Sequence, residues 1–321
     1  MTAFRPPRWL RGRHAQTVWG SMFRMPILLP LAHERWELPD GDFIDVDRLE
    51  AATPDAPVVV VCHGLEGSSK AGYVRGLLRD LRAHGIGAVA INFRGCSGEP
   101  NRLPRFYHSG DTGDLAFVVE KLRAERPGRA LGLAGFSLGG NVVAKYLGER
   151  GDKVAPEIRA GAVVSVPFDL ALCAKSLDGP DLMARVYRQR FLRQLRAKVA
   201  QKARAHASMP VDKARAARTL REWDDAVTAP LHGFASAEDY WARSSAGPFL
   251  PSVKRPLLIL AAEDDPFVPA ETIPVEAARA NPQVTLETFA EGGHVAFVGG
   301  APWAPSRWAE RRVAEFLAAS A

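Results

Sequence analysis

The chain has 321 residues, of which 47% are hydrophobic, and it carries a net charge of +6. This length suits one large α/β domain with an insertion, and the hydrophobic fraction is enough to bury a sizeable core. The three scattered cysteines exclude a disulfide framework and a Cys/His metal site. The apolar residues 25–32 are too few, and too interrupted by proline, for a secretory signal or a membrane span. The sequence therefore predicts a cytoplasmic protein.

The predicted elements alternate along the chain as they do in α/β proteins. Residues 1–30, rich in Arg, Pro and Trp, are predicted to form an N-terminal arm packed on the domain. Residues 34–38 and 43–49 predict a β-hairpin. The alternation that follows predicts a mostly parallel sheet with helices on both faces. Strands are predicted near 57–62, 86–92, 130–134, 160–166, 256–262 and 284–289, and helices near 70–83, 111–125, 138–150, 271–280 and 303–319.

Residues 168–247 break this alternation, because helical patterns follow one another there without a strand. We expect a helical cap over the functional site, inserted into a core formed by residues 31–167 and 248–321. Its large apolar side chains could line a pocket, although packing inside the cap is the favoured interpretation for most of them. These side chains are Leu172, Leu177, Met183, Phe191, Trp223, Phe234, Tyr240 and Trp241.

Basic residues outnumber acidic ones within the cap. A solvated helical face is the favoured interpretation, and attraction to an anionic membrane or to an acidic head group of the substrate is the alternative. Few aromatic residues lie among these charges, which argues against nucleic-acid binding. The basic residues are Arg185, Arg188, Arg190, Arg193, Arg196, Lys198, Lys202, Arg204, Lys213, Arg215, Arg218 and Arg221.

The sequence GFSLG at residues 135–139 matches G-x-S-x-G, the nucleophile elbow of hydrolases, with Ser137 at its centre. A buried strand is predicted before it and a helix after it, which is the setting that the motif requires. Glycine on both sides of Ser137 allows the tight turn. For the motif alone, a glycine-rich turn in which the serine caps a helix is the favoured interpretation.

An acid and a histidine follow Ser137 in the order that a Ser-Asp-His triad requires in this type of fold. Asp264 and Asp265 come directly after an apolar strand, and His294 follows paired glycines after the next strand. His294 would take the serine proton, and an aspartate would orient the imidazole. We favour Asp265 for this role because it directly precedes Pro266, and we interpret Asp264 as a turn or supporting residue.

An oxyanion hole needs two backbone N–H donors aimed at the developing negative charge. The residue after the nucleophile, Leu138, is predicted to supply one, and Leu65, in the loop after an early strand, the other. His63 precedes the serine in the chain, so we interpret it as a residue that shapes this loop. Glu66 is interpreted as a solvated residue at the rim.

Several segments together resemble a known family more specifically than the elbow does. They are HGLEGSS at 63–69 with Tyr73, NFRGCSGEPN at 92–101, YHSGDT at 107–112, GFSLGGN at 135–141, KYLGE at 145–149 and DDP at 264–266, with Gln16 and Thr17 near the start. In these residues the chain resembles the YheT-type α/β-hydrolases, which are related to eukaryotic lipid hydrolases of the ABHD1/ABHD3 type. The resemblance implies a triad of Ser137, Asp265 and His294 and hydrolysis of carboxylic esters.

The sequence thus predicts a serine hydrolase that cleaves small-molecule or lipid esters through an acyl-enzyme, with no cofactor and no metal. A thioesterase or amidase with the same triad is one alternative. A non-catalytic protein that binds a ligand on the same fold is another. The substrate and the oligomeric state are not predicted.

Overall fold

A computed structural model describes residues 4–22 and 27–321. Residues 1–3 and 23–26 of the predicted arm lie outside the described residues. The strands are β1 (Ala32–Glu37), β2 (Phe43–Leu49), β3 (Val58–Cys62), β4 (Gly87–Asn92), β5 (Leu131–Phe136), β6 (Ile158–Val164), β7 (Leu257–Ala262), β8 (Val284–Phe289), β9 (Val298–Ala301) and β10 (Ala304–Arg307). The helices of the core are α1 (Arg13–Met22), α2 (Gly72–Ala83), α3 (Gly113–Glu125), α4 (Leu138–Arg150), α11 (Val275–Ala280) and α12 (Trp308–Ala319).

Within the described part of the chain, eight strands form one sheet in the order β1-β2-β4-β3-β5-β6-β7-β8. The pairs from β4 to β8 are parallel, and β1 and β2 add an antiparallel hairpin at one edge. This is the predicted α/β-hydrolase architecture with a mostly parallel sheet. Because parallel strands are covered on both faces, their sequences are continuously apolar, as in VVVVC of β3.

Side-chain alternation along β3 divides its residues between two hydrophobic cores, one on each face of the sheet. Val58, Val60 and Cys62 pack in one core, whereas Val59 and Val61 pack in the other. The first core joins the sheet to α3 and α4, and the second joins it to α2 and α12. The carboxyl ends of β3, β5, β7 and β8 therefore meet at one edge, where the predicted site residues follow them.

Between β6 and β7 the chain forms only helices over the predicted cap. They are α5 (Leu170–Leu177), α6 (Leu182–Lys202), α7 (Val211–Ala216), α8 (Leu220–Trp223), α9 (Ala229–His232) and α10 (Ala237–Ser244). Their apolar side chains form a third hydrophobic core, against which Val18 of α1 and Phe267 of the loop after β7 also pack. The insertion thus contacts both the sheet edge and the N-terminal arm.

The structure corrects two local predictions. Residues 303–307 do not begin the last helix, because Ala304–Arg307 pairs with Val298–Ala301 as a hairpin. Pro305 lacks an N–H and disfavours the helical conformation of the residue before it, so α12 begins only at Trp308. The arm also contains a ten-residue helix, α1, which was not predicted.

Two segments that carried the family resemblance turn out to build the scaffold. Arg94 is buried and donates hydrogen bonds to Asp114 of α3 and to Asp40 and Asp42 of the β1–β2 turn. Asn141 of α4 donates to the carbonyls of Ser109 and Ser244 and accepts from the amide of Ala246. These buried side chains tie the elbow helix, the 107–112 segment and the end of the cap together.

Candidate active site

Ser137 sits between β5 and α4 in a strained backbone conformation, with φ 52° and ψ −123°. The residues two positions before and after it must be glycine, because a Cβ on Gly135 would lie 2.4 Å from the carbonyl oxygen of Gly139. A Cβ on Gly139 would lie 2.4 Å from the carbonyl oxygens of Cys62 and His63. Strain of this kind persists only where the surroundings enforce it, and it is common at active sites.

The hydroxyl of Ser137 does not cap the helix that follows, which removes the structural alternative for the motif. Instead, its Oγ lies 2.9 Å from Nε2 of His294. The Nδ1 of the same histidine lies 2.8 Å from Oδ2 of Asp265 and 3.1 Å from Oδ1. Residues that lie 128 or more positions from the serine along the chain thus meet at one edge of the sheet.

The two neighbouring aspartates make different contacts. The Asp265 side chain is 1% exposed, and its Oδ1 accepts hydrogen bonds from the amides of Phe267 and Val268 as well as facing the histidine. Asp264 instead accepts from the amides of Gly292 and Gly293 through Oδ1, and burial raises the pKa of this carboxyl. Asp265 therefore contacts the imidazole directly, while Asp264 bonds the loop that carries it.

The N-terminal arm supports the histidine loop, which the sequence analysis did not anticipate. The Oγ1 of Thr17 accepts a hydrogen bond from the backbone N–H of His294 at 2.9 Å. Gln16 bonds the backbone of Val298 through both its oxygen and its nitrogen. A Cβ on Gly293 would lie 2.8 Å from atoms of α1, so this helix and the histidine loop are in close contact. The only sequence signal was the pair Gln16 and Thr17 within the family resemblance.

The predicted oxyanion donors lie beside the serine. Leu138 is the first residue of α4, where backbone N–H groups have no partner inside the helix. Leu65 lines the same cavity as Ser137. Gly64 before it packs so closely that a Cβ there would lie 3.1 Å from Cβ of Ser137. The loop after β3 thus reaches Ser137.

His63 is fully buried and makes contacts consistent with shaping this loop. Its Nδ1 lies 2.7 Å from the carbonyl of Gly64, and its Nε2 accepts a hydrogen bond from the amide of Phe93 at 3.2 Å. Burial lowers the pKa of this imidazole to about 4, so the ring is neutral near pH 7. Both nitrogens are occupied by the backbone, so the ring is not available as a base.

The interpretation of Glu66 as a solvated rim residue is wrong. Its side chain is 4% exposed and its Oε1 lies 2.9 Å from Nζ of Lys198, a residue of cap helix α6. The hydroxyl of Tyr107 donates to the same oxygen and accepts from the amide of Glu66. Glu66 also has a positive φ of 55°, which is uncommon outside glycine. The carboxylate is buried because the cap supplies a cation.

The basic cap residues do not all face solvent, as either interpretation of them required. Lys198 also lies 2.9 Å from Sγ of Cys96. Lys202 is 3% exposed and donates to the carbonyls of Leu103 and Arg105. Arg188 and Arg196 likewise donate to backbone carbonyls. The exposed members are Arg185, Arg190, Arg193, Arg204, Lys213, Arg215, Arg218 and Arg221.

A cavity of about 160 Å³ lies between the cap and the sheet edge, and both Ser137 and His294 line it. Its walls are mostly apolar. Of the cap residues considered for a pocket, Leu177, Phe191, Trp223, Tyr240 and Trp241 line this cavity, whereas Leu172, Met183 and Phe234 do not. Phe267 contacts both the cap and the site. The centroid of its ring lies 4.4 Å from that of the His294 imidazole and 4.7 Å from that of the Tyr187 ring.

Residues 57–301 match the sequence model of a protein family whose description is "alpha/beta hydrolase fold". The chain belongs to the α/β-hydrolase family. It is 38% identical to an Escherichia coli (strain K12) protein named "Putative esterase YheT", over 98% of this chain and 92% of that protein. It is also 32% identical to the mouse protein named phospholipase ABHD3, over 92% of this chain and 73% of that protein. The resemblance to the YheT-type branch is therefore confirmed.

Solved structures agree on the fold. An esterase of Pyrococcus furiosus superposes with a TM-score of 0.57 at 20% identity, covering 90% of this chain and 91% of that one. Within residues 4–22 and 27–321, no helix is long and apolar enough to cross a membrane. The same residues contain no group of three or more His, Cys, Asp or Glu side chains that could hold a metal ion.

Proposed function

We propose that this hydrolase cleaves carboxylic esters with Ser137 as nucleophile, His294 as general base and acid, and Asp265 as the group that orients the histidine. The observation that carries the proposal is the continuous line of contacts from Ser137 Oγ to His294 Nε2 and from His294 Nδ1 to Asp265. Two of the similar proteins carry the names esterase and phospholipase, and both kinds of enzyme cleave esters.

The geometry suits proton transfer in both directions. Asp265 is an acceptor, so it favours the tautomer of His294 with its proton on Nδ1, and Nε2 is then free to accept the serine proton. Two backbone amides hold the carboxylate in place beside the imidazolium that forms during the reaction. The imidazolium then returns its proton to the leaving alcohol, and a water activated by His294 releases the acid from the acyl-enzyme.

The oxyanion of the tetrahedral intermediate would be held by the amides of Leu138 and Leu65. The start of α4 favours negative charge at Leu138, since the aligned peptide dipoles leave a partial positive charge there. Both residues line the cavity beside Ser137. The mostly apolar walls exclude water and suit the hydrocarbon arm of a small-molecule or lipid ester.

The Ser137→Ala variant tests the proposal. It should fold as the wild type does but hydrolyse p-nitrophenyl esters at least about 10⁴-fold more slowly. A fluorophosphonate probe should label the wild-type protein at Ser137 and leave the variant unlabelled. A folded variant with wild-type turnover would contradict the assignment, and a wild-type protein that resists the probe and hydrolyses no substrate would favour a non-catalytic, ligand-binding role.

Three substrates with the same acyl group distinguish an esterase from a thioesterase and from an amidase. They are an oxygen ester, a thioester and an anilide of butyric acid, which differ only in the leaving group. We expect the oxygen ester to have the highest kcat/KM. Faster turnover of the thioester or the anilide would make the protein a thioesterase or an amidase with the same catalytic groups.

Two further expectations stay predictions from the sequence. Contact with an anionic membrane would use the exposed cap arginines, and sedimentation with phosphatidylglycerol vesicles, compared with phosphatidylcholine vesicles, tests it. A cytoplasmic location is tested by fractionating cells that express the chain.

A further inference from the structure

Several titratable side chains line the cavity without a part in the proposed chemistry. Three of them, His108, Asp224 and His232, are called the polar cluster below. His108 belongs to the segment that follows Tyr107, whereas Asp224 and His232 belong to the cap. In a mostly apolar cavity, polar groups of this kind fix the orientation of a ligand.

Asp224 begins a π-helical turn, Asp224–Thr228, between α8 and α9. Such turns are rare and are frequently found at functional sites. Its Oδ1 accepts a hydrogen bond from Thr228 at 2.7 Å, and its Oδ2 accepts one from the indole of Trp241 at 2.8 Å. Each carboxylate oxygen can accept a second bond, so the group retains capacity toward the cavity that it lines.

The two histidines line the same cavity as this acceptor and can provide N–H donors to it. Nδ1 of His108 accepts a hydrogen bond from the amide of Gly110 at 3.2 Å, which leaves the proton of the neutral ring on Nε2. The ring of His232 packs edge-on against it, with the centroids 4.7 Å apart. Burial lowers the pKa of both imidazoles to about 3, so both rings are uncharged near pH 7.

The charges of the lining indicate which ligands the cavity disfavours. Among the lining residues, all of which the structure describes, the only lysine is Lys198, and it is paired with Glu66. There is no arginine in the lining. A phosphate or carboxylate in the cavity would therefore lack a free cation and would meet the carboxyl of Asp224. A neutral hydroxyl, in contrast, can donate to Asp224 and accept from an imidazole N–H.

We propose that the polar cluster is a subsite for an uncharged, hydroxyl-bearing arm of the ester substrate. The hydroxyl would lie on either the alcohol arm or the acyl arm, because both arms extend from the carbonyl group that reacts. This proposal rests on the proposed ester hydrolysis at Ser137. It adds a preference that the triad alone does not produce, since an apolar cavity discriminates weakly between arms of similar size.

The test compares two matched pairs of substrates. Glycerol monobutyrate and propyl butyrate differ only in the hydroxyls of the alcohol arm, and methyl 6-hydroxyhexanoate and methyl hexanoate differ only in a hydroxyl on the acyl arm. Acid release is titrated for the wild type, for Asp224→Asn and for the control Asp225→Asn. Asp225 neighbours Asp224 on the same turn but does not line the cavity, and its Oδ1 accepts from the amide of Ala237.

The wild type should favour the hydroxyl-bearing member of one pair, which identifies the arm. Asp224→Asn should reduce that preference about tenfold, mainly through KM, because a hydrogen bond to a charged or polar group is exchanged for a poorer one. Asp225→Asn should retain the preference. The inference fails if the wild type prefers neither hydroxylated ester, or if both variants change the ratio of kcat/KM values within a pair equally. In either case, turnover of the esters would still support the proposed function. Loss of turnover with every ester in the wild type would refute the proposed function itself.

Discussion

Lys198→Met gives the most demanding prediction, because this lysine joins the cap to the loop that carries a proposed oxyanion donor. Its Nζ lies 2.9 Å from Glu66 Oε1, and the Glu66 side chain is 4% exposed whereas that of Lys198 is 19% exposed. Burial lowers the pKa of Lys198, but the neighbouring Cys96 and Glu66 outweigh this effect and raise it. The lysine is therefore charged at neutral pH.

Methionine in its place would leave the Glu66 carboxylate buried without its cation. Removing one partner of a buried pair costs about 3–5 kcal/mol, and we expect the lower end, about 3 kcal/mol, because Lys198 retains some exposure. The double variant Lys198→Met/Glu66→Gln should recover about 1–2 kcal/mol of that loss, since it leaves no uncompensated charge. Urea unfolding of the wild type, both single variants and the double variant measures this coupling.

Activity gives a second measurement of the same contact. Glu66 follows Leu65 directly, so a loop that loses its cap contact should misplace the donor, and a displacement of about 1 Å can cost up to about 100-fold in rate. We expect kcat to fall about tenfold or more in Lys198→Met. Lys202→Met is the matched control, because Lys202 lies one turn further along α6 and donates its hydrogen bonds to the carbonyls of Leu103 and Arg105 rather than to the loop after β3. The reasoning is refuted if the coupling is zero, or if the two variants lower kcat equally.

Three other outcomes follow from the site and the fold. Asp265→Asn should lower kcat about 10³- to 10⁴-fold because the histidine takes the wrong tautomer, whereas Asp264→Asn should lower it far less; steady-state kinetics separate the two. Gly139→Ala should prevent folding or cost more than about 3 kcal/mol, while Gly113→Ala, at an open helix position, should be neutral or stabilising, as thermal unfolding would report. Burial raises the pKa of Asp224 to about 7 in the folded state, so its ionisation opposes folding as the pH rises from about 4 to 7. Asp224→Asn should therefore gain stability relative to the wild type at pH 8 but not at pH 4, and equal differences in Tm at both values would contradict this.

Local signals in the sequence were sufficient to predict the architecture and to single out Ser137 as the proposed nucleophile. The run VVVVC of β3 and the glycines on either side of Ser137 specify a buried strand and a tight turn through their own steric properties. The predicted strands and most helices lie within a few residues of those observed. The errors arose where local patterns were weak, as at residues 303–307, or where a helix depends on packing, as in α1.

The sequence alone determined the order of serine, acid and histidine and the apolar strand before each of them. It could do so because strand patterns and turn residues depend on only a few neighbouring positions. Only the tertiary structure decided the partners: Thr17 under the histidine loop, Lys198 against Glu66, and Asp224 in the wall of the cavity. Glu66 and Lys198 are separated by 132 positions, and nothing near either residue specifies the other. Their pairing follows from how the cap packs on the sheet, which makes a glutamate that looks solvated in the sequence a buried ion.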